Sequence, residues 1–431
     1  MFEKLFQLKE NGTDIRTEIL AGFTTFLTLS YIIFVNPHIL ADAGMDSGAI
    51  FVATCLTSAI ACLIMALYAN YPFALAPGMG INAYFTYDVV IGAGVNWQVA
   101  LGAVFIAGLL FVALTLSHLR EKIITSIPRS QKMAISAGIG FFLIIIALQN
   151  AGMITADKIT MVKLGDLAAP GVLLAVAGFV LMVGLESRRI TGGILIAILA
   201  ITIAGIMLDI TPAQGIFSMP PSLAPTFFQM DIAGAFDTTL IVIILAFLFV
   251  LMFDATGSLI GLGNRAGFLD KEGNLPRMRQ ALVTDSAASV VSAALGTSPT
   301  TVYIESATGI KAGGRTGLTA LVVAALMVLA LFLSPLAETV PIYATAPALL
   351  FVGCLMARSL TEIDWEDVTE YVPAIITALA MPLTFSITSG IGFGFIAYVA
   401  IKLIAGKRAQ VSLMMAILAA AFVFKFAYLQ I

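Results

Sequence analysis

The chain has 431 residues, of which 60% are hydrophobic and 11% charged, with a formal net charge of -3. Soluble domains are nearer about 45–50% apolar and about 25% charged, so this composition excludes a soluble globule and implies a polytopic protein in a lipid bilayer. The net charge is too small to imply nucleic acid or an acidic partner, and the polar start MFEKLFQLKENGTDIRTE is unlike a cleavable signal peptide.

A helical span needs about 20 apolar residues. In chain order, such runs are expected at 17–41, 48–69, 97–118, 131–150, 170–187, 191–209, 236–262, 280–296, 315–335, 345–360, 369–387, 389–405 and 411–429. Two further segments, near 73–91 and 297–313, are apolar but interrupted: YPFALAPGMGINAYFTYDVV and LGTSPTTVYIESATGIKAG. Irregular backbone at membrane depth is tolerated only where protein or a watery cavity satisfies its polar groups. Interrupted segments in corresponding places of two halves point to the solute site of a transporter. The run 411–429 is left over, and reads either as a fifteenth span or as a membrane-embedded tail, with Lys425 as the awkward residue for a clean span.

Positive charge sets the orientation. Lys4, Lys9 and Arg16 precede the first span, and Arg120, Lys122, Arg129 and Lys132 fill the loop after the fourth. Arg188 and Arg189 follow the sixth, while Arg265, Lys271, Arg277 and Arg279 follow the eighth. Lys311 and Arg315 follow the tenth, Arg358 ends the twelfth, and Lys402, Lys407 and Arg408 follow the fourteenth. The loops 42–47, 92–96, 210–235 and 336–344 have neither Lys nor Arg, and the loop 151–169 has Lys158 and Lys163 balanced by Asp157 and Asp166. Fourteen spans with a cytoplasmic N-terminus place every dense basic loop in the cytoplasm of a multi-pass cell-membrane protein. The order of long, long, broken, long and three shorter spans occurs in 17–209 and again in 236–405. Seven is odd, so the second copy is expected to be inverted.

Two carboxylates lie inside apolar runs: Asp254 in LFVLMFDATGSLIGL and Glu305 in LGTSPTTVYIESATG. A charge at mid-bilayer costs roughly 2.5–3.5 kcal/mol on insertion scales, so such groups usually face a cavity. Asp254 and Ser258 share a helix face at i, i+4, and a carboxylate and a hydroxyl can read the donors and acceptors of a purine or pyrimidine ring. The alternative is a packing acid bonded to its neighbours. Glu305 falls in the first turns of a half-helix starting near Thr300 or Thr301, where free N–H groups favour an anion or a carboxylate-bound ligand; otherwise it caps that helix. Tyr303 stacks on a flat ring or simply packs. Asn82 offers an amide that matches a nucleobase edge or ties the broken backbone. Of the hydroxyls Thr24, Thr25, Thr28 and Ser30 in the first span, Ser30 joins the candidate site. Asp285 and Asp88 read as a capping or interhelix acid and as an interfacial acid. The cluster Glu362, Asp364, Glu366, Asp367 and Glu370 reads as a solvated loop and helix start. Cys55, Cys62 and Cys354 lie in apolar stretches, and His38 and His118 are far apart, so neither disulfide nor metal site is expected. No Walker sequence occurs, so the energy source is expected to be an ion gradient and no cofactor is expected.

Four stretches together carry a family resemblance: AGFTTFLTLSYIIFVNP at 21–37, APGMGINAYFTY at 76–87, FDATGSLIG at 253–261 and GTSPTTVYIES at 296–306. Over essentially its whole length the chain resembles the purine permeases (AzgA-like branch) of the nucleobase:cation symporter family. The resemblance implies an all-α fold of fourteen spans as two inverted seven-span repeats, with short strands in spans 3 and 10. It implies a core domain at 1–118 and 236–335, a gate domain at 119–209 and 336–405, and a hydrophobic tail at 406–431. Carried over by motif, the essential acid of span 8 falls on Asp254, the glutamate of span 10 on Glu305 and the polar residue of span 3 on Asn82. Ser258 stands where uracil-type relatives carry a second polar residue. The implied activity is import of adenine, guanine or hypoxanthine by proton symport, with Glu305 and Asp254 in the proton coupling, sodium as the other candidate ion, and gate helices that pair copies into a homodimer. An anion exchanger or channel on the same architecture and a membrane-embedded acid-pair enzyme are the competing readings. Two midplane acids argue against the first, and the lack of a nucleophile–base set argues against the second.

Overall fold

The computed structural model describes residues 2–117, 126–236, 240–270 and 275–428; His118, Arg120, Lys122 and Lys271 lie outside them. Nine helices among the described residues are long and apolar enough to cross a membrane. Shorter apolar helices and the two broken segments occupy the other expected places. The helix Met278–Leu295 falls outside that count because it is polar: Thr284, Asp285, Ser286, Ser289 and Ser292 are all fully buried in protein, out of reach of lipid.

The first span is two helices, α1 (Ile15–Leu29) and α2 (Ile32–Ala41), interrupted at Ser30 and Tyr31. Asp14 caps α1 by accepting from Thr17 N at 3.0 Å, which satisfies one of the amides a helix start leaves orphaned. Helix α3 (Ser47–Ile64) follows. Then comes the first broken segment: strand β1 (Leu75–Pro77), helix α4 (Met79–Ala83) and a π-helical stretch over Tyr84–Gly92. Helices α5 (Trp97–Leu116) and α6 (Arg129–Asn150) come next. Residues 151–169, expected as a plain loop, contain a hairpin of β2 (Ile154–Asp157) and β3 (Met161–Leu164). Its turn forms because Asp157 Oδ1 accepts from Ile159 N at 2.9 Å and Thr160 N at 3.1 Å. Helices α7 (Pro170–Ser187) and α8 (Gly193–Met207) end the first half.

The second half repeats the order. It has α9 (Ile241–Ala266), α10 (Met278–Leu295), strand β4 (Thr300–Val302) with α11 (Ser306–Lys311), and α12 (Gly317–Ala330). It continues with α13 (Ile342–Ala357), α14 (Val368–Thr384) and α15 (Ile387–Ile404). The expected strands of the two broken segments pair with each other. They run antiparallel with Leu75 opposite Val302, Ala76 opposite Thr301 and Pro77 opposite Thr300.

Packing is reciprocal between the halves. Helix α1 lies on α12, and its counterpart α9 lies on α5; α3 lies on α12, and α10 on α5. A second group forms where α6 meets α13 and α14 while α13 meets α7. At the α6–α13 crossing, a Cβ on Gly140 would stand 2.6 Å from Gly353 O, and one on Gly353 would stand 2.7 Å from Gly140 O. Only glycine permits this approach of backbone to backbone.

The hydrogen bonds define two faces. On one, the basic termini meet: Glu18 accepts from Arg315 N at 2.8 Å, Arg129 pairs with Glu362 at 2.7 Å, and Arg279 reaches Leu116 O at 3.4 Å. On the other, Tyr87 donates to Asp42 at 2.7 Å and Ser218 meets Ser334 at 2.8 Å. The tail helix α16 (Leu413–Tyr428) runs between them. Ser412 Oγ bonds Ser126 O at 2.7 Å beside the basic face, and Lys425 near the other end lies within electrostatic reach of Asp88.

In the acidic cluster at 362–370, Glu362, Asp364 and Glu366 are exposed as expected, whereas Asp367 and Glu370 are half-buried. Lys402, fully buried, pairs with Glu370 at 2.5 Å, and Lys407 pairs with Asp367 at 2.6 Å. The Lys407 ammonium and the Thr369 hydroxyl and amide hold the Asp367 carboxyl well below its ordinary 3.8. A depressed folded-state value contributes stability above the unfolded pKa and loses it as pH falls toward the folded one. Asp367→Asn should therefore lower the melting temperature in detergent at neutral pH, with the difference from wild type shrinking as pH drops below 3.8. An unchanging difference across that range would refute the pairing as the cause.

Candidate solute site

The site grows from the strand pair. Side chains alternate along a strand, so Thr301 points opposite to Thr300 and Val302. Thr301 meets α9, where its hydroxyl donates to Asp254 Oδ2 at 2.7 Å. Four residues on, Glu305 occupies the N-cap position of α11. The Tyr31 hydroxyl, from the break in the first span, donates to Glu305 Oε1 at 2.7 Å. Asp254 and Glu305 are both half-buried and lie within electrostatic reach of each other. The two predicted acids are thus brought together, each held by one hydroxyl and each with carboxylate lone pairs to spare.

Ser258 lies one turn beyond Asp254 and is half-buried. Between and beyond them, Gly257 and Gly261 complete the same helix face (i+3 and i+7 from Asp254). A Cβ at either glycine would meet nothing within 4 Å. The face running from Asp254 toward Arg265 therefore borders open space on the side of the basic termini. In the opposite direction Phe247, Val250 and Leu251 are buried.

Three expected site residues have other employment. Asn82 is fully buried; its amide donates to Asn36 Oδ1 at 2.6 Å and its carbonyl accepts from the Ser298 hydroxyl. Asn36 in turn donates to Thr54 at 2.7 Å and Thr297 at 2.9 Å. Asn82 therefore ties the broken segments together, because its side-chain carbonyl and one amide hydrogen are engaged by protein in a dry network. Ser30 is 3% exposed and bonds back to Leu27 O at 3.3 Å, as serine does within helices. Tyr303 is 5% exposed and spends its hydroxyl on Pro77 O at 2.6 Å, while its ring tilts against Tyr31 at 6.5 Å between centroids. Its role is to hold the strands and back the Glu305 partner. Asp285 is fully buried in α10.

Tyr31, Thr301 and Asn36 were not singled out from the sequence. The signal for Tyr31 was a polar Ser-Tyr pair in mid-span, which weakens a helix without the usual Pro or Gly. Among the described residues, no group of three or more His, Cys, Asp or Glu could hold a metal ion.

A mostly helical membrane fold with two broken segments crossing at an acidic site is a transporter architecture. A family model described as "Permease family" matches residues 16–393, and the chain belongs to that family. It is 53% identical to a putative permease of Methanocaldococcus jannaschii over 99% of this chain and 98% of that one. It is 47% identical to the adenine permease AdeP of Escherichia coli (100% and 96% covered). To the guanine/hypoxanthine permease PbuG of Bacillus subtilis it is 44% identical, with 99% of each covered. These relatives are of the class the four motifs resemble, and they place the chain among transporters rather than enzymes. Among solved structures, the transmembrane domain of the cyanobacterial bicarbonate transporter BicA superposes with a TM-score of 0.62 at 18% identity, covering 89% of this chain and 97% of that one. The murine anion transporter Slc26a9, in an inward-facing state, gives 0.63 at 10% identity, with 91% and 68% covered. Both share the fold.

The open glycine face makes a direct prediction. Gly257→Cys should react with a water-soluble maleimide supplied from the basic face at least about tenfold faster than Ala255→Cys, which is buried in the same helix turn. Thiols facing hydrocarbon do not ionise, so equal, slow rates would place this face against lipid and remove the aqueous reading of the open space.

Proposed function

We propose that the protein is a secondary active transporter that imports a purine nucleobase, such as adenine, guanine or hypoxanthine, together with a proton. The observation that carries this is the pair Asp254 and Glu305, each tethered by one hydroxyl at the crossing of two broken segments, beside a helix face bordering open space. Glu305 accepts ring N–H groups of the base, with Tyr31 fixing its orientation. Asp254 takes the coupling proton, and Ser258, one turn away, contacts the solute. The names of the relatives support a purine as solute. Two acids at the crossing oppose an anion, although the fold is shared with anion transporters.

The chain is read as fourteen spans in two inverted repeats, supported by the reciprocal packing and by the recurring element order. Helices α1–α5 and α9–α12 form the core; α6–α8 and α13–α15 form the gate. The core shifts against the gate to expose the site to either side in turn. The basic face is cytoplasmic in a cell membrane, by the positive-inside bias. In this conformation the site then faces the cytoplasm.

The test is competition for radiolabelled adenine uptake by guanine, hypoxanthine, xanthine, uracil and sulfate. Purines should compete and sulfate should not; sulfate competition with purine indifference would overturn the reading. Asp254→Asn should leave uptake insensitive to an imposed pH gradient, and full activity with intact pH dependence would contradict its role. A hydrogen bond to a charged acceptor contributes about 1.5–3 kcal/mol. Glu305→Gln should accordingly weaken substrate affinity by about tenfold or more, and Tyr31→Phe by less, because Glu305 itself remains.

A further inference from the structure

The outer ends of the core and gate meet in a contact that solute binding does not use. Helix α15 begins at a corner where Phe385 has φ +50° and Ser386 is the capping residue. A helix start leaves four N–H groups without partners in its own helix. Two of them are met within the corner itself: the Ser386 hydroxyl accepts from Ser389 N at 3.1 Å, and Ser386 N donates to Met381 O at 3.2 Å. The remaining two, Ile387 N and Thr388 N, donate to one oxygen of Asp88, at 2.7 Å and 3.3 Å. Asp88 belongs to the other packed group, at the end of the first broken segment. The Ser386 hydroxyl also reaches Asp88 at 3.2 Å, and beside it Tyr84 bonds Thr388 Oγ1 at 2.8 Å. Asp88 is 8% exposed and Thr388 is 2% exposed, so water does not stand in for either partner.

Lys425 completes the arrangement. It is 9% exposed and lies within electrostatic reach of Asp88. It moves with the gate, because α16 is fitted closely to α15: a Cβ on Gly392 would stand 2.6 Å from Phe422 and 2.9 Å from Phe426.

We propose that Asp88 is an outer latch, closing core against gate by supplying the acceptor that the first two amides of α15 lack, with Lys425 of the tail helix as its counter-charge. The proposal rests on the core-against-gate movement. While the contact is dry, withdrawing Asp88 strands two buried amides and a buried charge. Once the outer vestibule fills, water takes over all three. Opening and hydration are therefore one event, which gives the latch two states rather than a gradual release. It also assigns the tail helix a task, since the ammonium arrives at the outer face only because α16 crosses from the basic side.

The test uses Gly257→Cys as a reporter in a background where exposed Cys354 is replaced by serine; Cys55 and Cys62 are buried. An impermeant maleimide is applied to the outer side of cells. Asp88→Ala should raise the labelling rate by about tenfold, Asp88→Asn by less because its amide oxygen still accepts, and Lys425→Met in the same direction. Labelling from the basic side should stay within about twofold. Outer-side rates that stay unchanged or fall in Asp88→Ala overturn the latch. If labelling rises from both sides, the pair Asp88→Cys with Ser386→Cys decides. Joined by a short reducible linker, it must abolish outer labelling, and reduction must restore it; labelling that persists when joined also overturns the proposal. None of these readings involves a purine, so failure of the assigned solute leaves the latch testable, and failure of the latch leaves purine uptake intact.

Discussion

Six residues hold the middle of this molecule together. Two helices stop short inside the bilayer, and their peptide groups have no water to turn to, a debt of several kcal/mol per unsatisfied group in hydrocarbon. The antiparallel pairing of Leu75–Pro77 with Thr300–Val302 answers it. Gly78 N to Pro299 O at 3.0 Å and Tyr303 N to Ala74 O at 2.9 Å extend the pairing at both ends. Side chains finish the edges: Ser306 Oγ accepts from Ala74 N at 2.9 Å, and Cys62 Sγ accepts from Leu75 N at 3.2 Å. Register then dictates chemistry. With Thr301 opposite Ala76, the pleat turns its hydroxyl to Asp254, and a slip of one residue would present Thr300 or Val302 instead.

The two sides of this crossing are built differently. On the side away from the basic termini, Asn36, Asn82, Thr54, Thr297 and Ser298 form a closed polar network drawn from four segments of the chain. Each amide there finds partners in protein, which suits a fixed joint. On the basic side, the α9 face carries Gly257 and Gly261, which fill nothing. A closed network on one side and an unfilled helix face on the other leave Asp254 and Glu305 positioned and half-buried. The same economy explains why both acids are only half-buried while the asparagines are sealed.

Much of this was readable in the chain. Apolar length located the nine helices long enough to span among the described residues, Pro and Gly in otherwise apolar runs located the two breaks, and the cost of a charge in lipid singled out Asp254 and Glu305. Basic residues sorted the loops onto faces that the hydrogen bonds reproduce. What was not readable depended on partners distant in sequence. Asn82 and Asn36 are separated by 46 positions and Tyr31 and Glu305 by 274, so no local pattern says which amide faces solute and which faces another amide. Asp88 was expected to reach the interface for solvation, because its partner is a helix start that lies 299 positions away. Lys425 looked out of place for the same reason. The hairpin at 154–164 escaped notice because its strands are only 4 residues each and its turn depends on one aspartate.

The solved anion transporters bring out what the scaffold does and does not decide. At 18% and 10% identity they keep the fold, so the architecture survives nearly complete exchange of side chains. That is expected if its stability resides in backbone hydrogen bonds, which most sequences can make. Solute choice must then be carried by the few side chains aimed at the crossing. A helix end and a peptide edge offer partial positive charge to whatever approaches, a setting that by itself favours anions. Here one carboxylate sits at the start of α11 and another is tied to the strand by Thr301, which sets acceptor oxygens where the backbone alone would offer donors. The strand pairing and the two acids therefore do separate jobs: the backbone frames the crossing, and Asp254 and Glu305 supply its acceptor oxygens.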